Sequence, residues 1–351
     1  MQTSDHSNFF QFICEFPDQI EKAPSLVKDL NIKTIKKDFK EVVFTGMGGS
    51  AIAGDLLKYY LQDEFAIPFI VNRNYSLPNF VSPQTLVISC SYSGNTEETL
   101  NATLHAIEKK ASVFGLSSGG KLEQILQSHK FPYLKIPQGY PPRQALGYMF
   151  FPILNFFQHL GLIEPKNEEI SETIKVLHEL RERNAPQTTH IHNLAKLIAQ
   201  RLYKKIPMIY TASELLYPVV TRWRNQFNEN SKVLAFSNVL PELNHNEIMG
   251  WEAPREVLEN FNILFLRDQS ELTRNKIRLD ITKEIFQKNH VPIFEVFGEG
   301  KSLLSRIFSL IYIGDWVSYY LALIYEKDPY KIDSIQFLKD SLSKFNDDMK
   351  V

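Results

Sequence analysis

The chain has 351 residues, 44% of them hydrophobic, with 39 basic against 40 acidic side chains and a formal net charge of −1. That length favours two domains, each with its own apolar interior, and the balanced charge leaves no broad field for nucleic acid or an anionic membrane, so a small ligand is the expected partner. Two cysteines, Cys14 and Cys90, are too few for a disulfide framework and suit a reducing cytoplasm, the N-terminal stretch MQTSDHSNFFQFICEF lacks the apolar core of a secretory signal, and no apolar run is expected to reach membrane-spanning length.

In chain order, short apolar runs alternate with helix-length amphipathic stretches. Residues 42–45, 68–71, 86–89, 111–115 and 133–136 read as strands, and their continuous hydrophobicity implies burial on both faces, hence a parallel sheet between helices. Residues 164–193 are charged, with Ile170, Ile174, Leu177 and Leu180 at helical spacing and a break at Ala185-Pro186, which predicts a helical linker. The strand rhythm then resumes at 207–210, 263–266 and 292–296 in a similar order, so the chain reads as a duplicated module. The predicted division is a first domain over 1–163, the linker over 164–193 and a second domain over 194–351. Near the end, Phe308, Tyr312, Trp316, Tyr319 and Tyr320 form an aromatic stripe suited to core or subunit-interface packing.

Two stretches carry the chemistry. In Phe44-Thr-Gly-Met-Gly-Gly-Ser-Ala-Ile-Ala-Gly-Asp55 a strand runs through a glycine-rich turn into a helix, where glycines admit a ligand close to the backbone and the helix-start N–H groups favour an anion. Gly46, Gly48 and Ala51 satisfy dinucleotide-binding spacing, but that fold wants an acid at the end of its second strand and this chain has Asn72 and Arg73, so the nicotinamide reading is the weaker one. A turn serving only strand–helix packing is the plain alternative. In SCSYSGNTEET, residues 89–99, Ser91, Ser93 and Thr96 offer hydroxyls to phosphate oxygens, Gly94 permits a tight turn, and Glu97 and Glu98 fall in the first helical turn. One hydroxyl-rich helix cap without a ligand is commonplace, yet two such turns after adjacent strands converge on the carboxyl edge of one sheet, where α/β proteins bind ligands. His190 and His192, two apart and without a Cys or carboxylate cluster, do not predict a metal site.

GMGGS followed by SYSGNTEET resembles the sugar isomerase (SIS) domain. With Pro142-Arg143-Gln-Ala-Leu146, Phe227-Asn-Glu-Asn230, Pro241-Glu-Leu-Asn-His-Asn-Glu-Ile248 and Leu338-Lys339, nearly the whole chain resembles the bifunctional phosphoglucose/phosphomannose isomerases. The resemblance implies an α/β fold of two SIS-type doubly wound αβα sandwiches, each with a mainly parallel sheet. It also implies a cofactor-free, metal-free aldose–ketose isomerase, a homodimer, acting on glucose 6-phosphate, mannose 6-phosphate and fructose 6-phosphate. The phosphate would be held by Gly48, Gly49, Ser50, Ser91, Ser93 and Thr96 of the first module. The second carries Thr211-Ala-Ser-Glu214 and Arg267-Asp-Gln-Ser-Glu271 at the corresponding places and would supply catalytic groups.

The resemblance assigns proton transfer to Glu229, ring opening and closing to His245 with help from Lys339, and stabilisation of the enediolate to Arg143, which would also contact substrate. Glu242 and Glu247 compete for the first role and Lys331 and Lys344 for that of Lys339. Asn244 and Asn246 flank His245 where they could fix its tautomer. Taken alone, Glu229 and Lys339 read as solvated groups, His245 as a satisfied loop histidine and Arg143 as a helix cap. Ile332 and Asp333 occupy the region where the family's specificity threonine would be sought, leaving acceptance of both C2 epimers open. A non-catalytic SIS sugar-phosphate sensor, and an isomerase of an amino-sugar or pentose phosphate, are the other readings.

Overall fold

The computed structural model describes residues 5–28, 30, 35 and 38–345, so the outermost ends of the predicted domains lie outside the described residues. In chain order, α1 (Phe10–Cys14) and α2 (Phe16–Val27) precede β1 (Glu41–Thr45), α3 (Gly48–Tyr60), β2 (Phe69–Asn72), β3 (Thr85–Cys90), α4 (Glu97–Glu108), β4 (Ser112–Ser117), α5 (Gly120–Ser128), β5 (Tyr133–Lys135) and α6 (Leu146–Leu160). Then come α7 (Asn167–Asn184), α8 (Leu194–Leu202), β6 (Ile206–Thr211), α9 (Tyr217–Gln226), β7 (Phe236–Val239), α10 (Arg255–Leu258), β8 (Phe261–Arg267), α11 (Thr273–Lys288), β9 (Ile293–Phe297), α12 (Leu303–Ile324) and α13 (Asp333–Leu342).

These elements form two compact units. One joins Glu15–Lys166 to the segment that starts at Asp333, and the other joins the segment ending at Cys14 to Asn167–Ile332. This grouping differs from the predicted division at 163 and 193. Residues 164–193 are not a free linker, because α7 buries Ile170, Thr173, Leu177 and Leu180 and packs along α12. Its high charge belongs to the opposite face, which composition alone does not distinguish from a fully solvated helix.

The sheet of the Glu15–Lys166 unit has the order β2-β1-β3-β4-β5 and is parallel throughout. Successive residues of its central strands point to opposite faces. Val43, Val87 and Val113 meet Leu100, Ala106, Leu122 and Leu126 of α4 and α5. Their neighbour Phe114 stacks on Phe156 of α6 with ring centroids 4.0 Å apart, and α6 packs on α2 and α3. Full burial of both faces explains the unbroken apolar runs.

The other unit repeats the pattern with one strand fewer, in the parallel order β7-β6-β8-β9. Tyr210, Ile263 and Phe265 pack on Leu279 and Phe286 of α11. Between α9 and α12, the buried Arg222 guanidinium donates to both Asp315 carboxylate oxygens at 3.1 and 2.8 Å, and Gln226 donates to Asp315 Oδ1 at 2.7 Å. Strand β7 was not predicted: its sequence, Phe-Ser-Asn-Val, is half polar because it lies at the sheet edge with Phe236 exposed.

Helix α12 is 22 residues long and apolar enough to cross a membrane, which corrects the expectation that no run reaches that length. It is instead the central helix of its unit, packed by α1, α7, α8 and α9. The aromatic stripe is therefore core: Tyr312 and Trp316 are fully buried, and Tyr319 and Tyr320 nearly so. The chain start is tied to the same helix, since Asp5 accepts from Phe9 N at 2.6 Å and from Tyr319 OH at 3.2 Å, and Ser7 donates to Asp328.

Candidate active site

In a parallel sheet of this order, the strand connections reverse direction between β1 and β3, which opens a crevice at their carboxyl ends. Three helices start at that edge, α3 after β1, α4 after β3 and α5 after β4, and none has a side-chain cap. The positive ends of all three dipoles and the first N–H groups of α3 and α4 are thus available to an anion, whereas in α5 Lys121 N is held by Asn95 Oδ1 and Leu122 N by Gly94 O.

The sequence builds this edge by close backbone approach. Gly48 takes φ +50°, and a Cβ on Gly49 would lie 3.2 Å from Pro142 O and 3.3 Å from Arg143 Cα, so the glycine turn rests directly on the loop that carries Arg143. Gly94 takes φ +68°, and a Cβ there would lie 1.7 Å from Gly119 O. Only glycine permits the β3–α4 and β4–α5 loops to meet in this way.

The predicted phosphate-binding hydroxyls divide into two kinds. Ser50 is turned inward: its Oγ accepts from Tyr92 N at 3.2 Å and donates to Met149 Sδ at 3.3 Å, joining the first turn to the second. Ser91 is likewise buried, accepting from Gly94 N at 3.1 Å and bonding Thr96 Oγ1 at 2.9 Å. Ser93 is exposed and Thr96 half-buried. Arg143 sits in a short 3-10 turn, Pro142–Gln144, and is only 3% exposed. Cys90, at the end of β3, is fully enclosed, and burial pushes its thiol up to about 12.

Sequence reasoning missed two supports of this edge. Tyr92 pins the approach to Arg143, since its hydroxyl donates to Pro137 O at 3.1 Å and accepts from Tyr140 N at 2.8 Å. The loop Ser117-Ser-Gly-Gly120 closes the third side: Ser118 Oγ donates to Tyr92 O at 2.7 Å, Leu122 N to Gly94 O at 2.9 Å and Lys121 N to Asn95 Oδ1 at 3.0 Å. The signal was there, a Ser-Ser-Gly-Gly string directly after a strand, but it lacks the familiar form of the other two. At the end of β2, Asn72 donates to Asn74 O at 3.0 Å and Arg73 pairs with Asp55 of α3, so neither is placed as a ribose acceptor.

In the other unit, Glu229 is half-buried on a π turn, Phe227–Ser231, that prolongs α9. His245 ends a 3-10 turn, Glu242–His245, and is exposed. Its flanking asparagines do not fix the imidazole: Asn244 Nδ2 donates to Thr282 Oγ1 at 2.9 Å and Asn246 Nδ2 to Glu242 Oε1 at 2.7 Å, so they fasten the loop instead. The competing carboxylates are engaged. Glu242 accepts from Asn246, while Glu247 accepts from Tyr210 OH and, at 2.6 Å, from Asn238 Nδ2. Burial, with Glu247 beside it, pushes the Tyr210 phenol far above its ordinary range. Lys339 lies on α13 with no buried residue, and Lys331 and Lys344 are exposed as well. The structure thus groups Gly48, Gly49, Ser50, Ser91, Ser93, Thr96 and Arg143 in one unit with Lys339, and Glu229 and His245 in the other.

At the corresponding edge of the second sheet, the chain's own carboxylates fill the donors. Asp268 accepts from Ser270 N at 2.8 Å and from Arg306 Nε at 2.6 Å, and Glu271 accepts from Asp268 N at 3.0 Å and from the Arg267 guanidinium. Burial would raise the Asp268 carboxyl, but the Arg306 and Ser270 bonds outweigh it and hold it below the usual range.

Residues 191–342 match the family described as bacterial phospho-glucose isomerase C-terminal SIS domain. Over 338 residues the chain is 45% identical to a bifunctional phosphoglucose/phosphomannose isomerase of Caldicellulosiruptor bescii, covering 96% of this chain and 100% of that one. The chain belongs to the bifunctional phosphoglucose/phosphomannose isomerase family. A further member, from Aquifex aeolicus, is 37% identical over 308 residues, 87% of this chain and 91% of its own. The fold is shared with a hypothetical protein from Thermus thermophilus at a TM-score of 0.77 and 14% identity, covering 97% of this chain and 91% of that one. Family membership makes the protein a phosphosugar isomerase and its two sheets SIS sheets.

Proposed function

We propose that the protein interconverts glucose 6-phosphate and mannose 6-phosphate with fructose 6-phosphate through an enediol. The observation that carries this reading is the pair of helix starts without side-chain caps, α3 and α4, lined by hydroxyls and backed by buried Arg143, at the crevice between β1 and β3. N–H groups and hydroxyls suffice for a phosphate dianion without a lysine. Gly48, Gly49, Ser93 and Thr96 would contact the phosphate, with Ser50 and Ser91 holding the turns that present them.

With the phosphate so held, the chemistry falls to the far end of the sugar. His245 and Lys339 pass a proton between the C1 hydroxyl and the ring oxygen, opening the ring. Glu229 then removes the proton from C2 of the aldehyde and returns it to C1, while the O2 proton moves to O1, giving the ketose. The charge that develops on the enediolate oxygens is met by the Arg143 guanidinium, a planar donor that cannot lose its proton. Because C2 is planar in the enediol, reprotonation after a bond rotation yields either C2 epimer. We further propose a homodimer that works in the cytoplasm.

Glu229→Gln tests the assignment. Turnover should fall by about 10²–10⁴-fold and solvent-proton exchange at the sugar should stop, while fructose 6-phosphate still binds. Unchanged isomerisation refutes Glu229 as the base.

A further inference from the structure

The π turn that carries Glu229 is fastened by a residue to which neither the motif nor the reaction has given a role. Lys232 follows the turn with φ 57°, a left-handed conformation that strains a residue with a β-carbon. Its side chain folds back, and the ammonium donates to Glu229 O at 2.7 Å, to Asn230 O at 3.3 Å and to Asp328 O at 2.8 Å. The first two are carbonyls at the end of a helical segment, where no following turn supplies donors. The third lies beyond the end of α12.

The rest of the turn is held through side chains. Asn230 Nδ2 donates to Ser318 Oγ at 2.9 Å and Ser231 Oγ to Ser318 O at 2.6 Å, both on α12, while Asn228 Oδ1 accepts from Ala235 N at 3.3 Å. Lys232 bonds the main chain of residue 229 itself and ties it to the segment after α12. Glycine would adopt this backbone without strain. A lysine here accepts the strain and adds a donor that reaches three carbonyls. π turns of this kind, one residue wider than an α-helical turn, recur at functional sites, where they set the direction of a side chain.

We propose that Lys232 is a positioning residue for proton transfer, holding the backbone of Glu229 so that its carboxylate keeps one approach to the sugar. This rests on the reading of Glu229 as the base. The test compares Lys232→Gly, Lys232→Ala and Lys232→Arg with Glu229→Gln in the full-length protein, by steady-state kinetics on fructose 6-phosphate and by thermal unfolding. Lys232→Gly removes the ammonium and relieves the backbone strain, so its fold is kept. Lost orientation at the reacting atoms should lower kcat by about 10-fold or more in the glycine and alanine variants, with KM within about 2-fold of the parent. Arginine, which still reaches the carbonyls, should recover part of the loss. A glycine variant with parental kcat, one whose KM rises at constant kcat, or one whose kcat falls only with its folded fraction overturns the proposal. If Glu229→Gln stays active, it is the base reading that fails. If Glu229→Gln is dead and Lys232→Gly is fully active, only the role of Lys232 fails.

Discussion

Replacing Gly94 with alanine tests the proposed anion site apart from the rest of the fold. The new methyl would meet Gly119 O at 1.7 Å, so the β3–α4 and β4–α5 loops must part. Parting them breaks the Leu122 N to Gly94 O and Lys121 N to Asn95 Oδ1 bonds, each worth about 0.5–1.5 kcal/mol net. The left-handed backbone adds about 1–2 kcal/mol, for a loss near 2–5 kcal/mol in urea unfolding. Gly161→Ala is the control: Gly161 has φ 72° but nothing within 4 Å of a Cβ, so it carries the backbone cost alone. Because Ser93 and Thr96 ride on the displaced loop, KM for hexose 6-phosphates should rise about 10-fold or more in Gly94→Ala, the equivalent of one lost charge-assisted bond, and stay put in Gly161→Ala. Equal stability losses and equal KM in the two variants would refute the reasoning.

Two other outcomes follow from burial and charge. Cys90, its thiol pushed up to about 12 by burial, should resist thiol reagents at pH 8 in the folded protein and react only on unfolding; mass spectrometry of labelled peptides checks this, and rapid native labelling of Cys90 would contradict it. The carboxyls of Asp268, Glu172 and Glu295 are held below their ordinary range: burial raises each, but bonds from Arg306 and Ser270, from Lys301 N and Ser302, and from Lys283 and Arg267 outweigh it. Groups depressed by folding contribute stability above their unfolded values, 3.8 for Asp268 and 4.5 for the glutamates, and lose it as pH falls through the lower folded values. The urea midpoint should therefore drop below about pH 4, and Asp268→Asn should flatten that drop; an unchanged acid profile in the variant counts against the assignment.

The sheets were legible because parallel strands buried on both faces leave continuous apolar runs, and of the nine strands among the described residues eight fell within a few residues of prediction. The ninth, β7, escaped because an edge strand need not be apolar. The two glycine turns at the carboxyl edge of the first sheet were legible because their glycines answer to local backbone geometry. What serine hydroxyls bond to within the protein was not: Ser50 and Ser91, which read as ligand groups in the chain, also fasten the turns to one another. Asn244 and Asn246 were misjudged for the same reason, since adjacency to His245 in sequence says nothing of where an amide points. The exchange of terminal segments between units was invisible because it rests on contacts over the length of the chain, and no local pattern encodes those.

That exchange bears on how such a protein is made and how it can be divided. Asp5 and Ser7 leave the ribosome long before their partners, which lie 314 and 321 positions later, so the unit centred on α12 closes only once synthesis has passed Asp328. Cutting the gene after Lys166 would leave the later piece without the Asp5–Cys14 strip, whose α1 packs on its central helix.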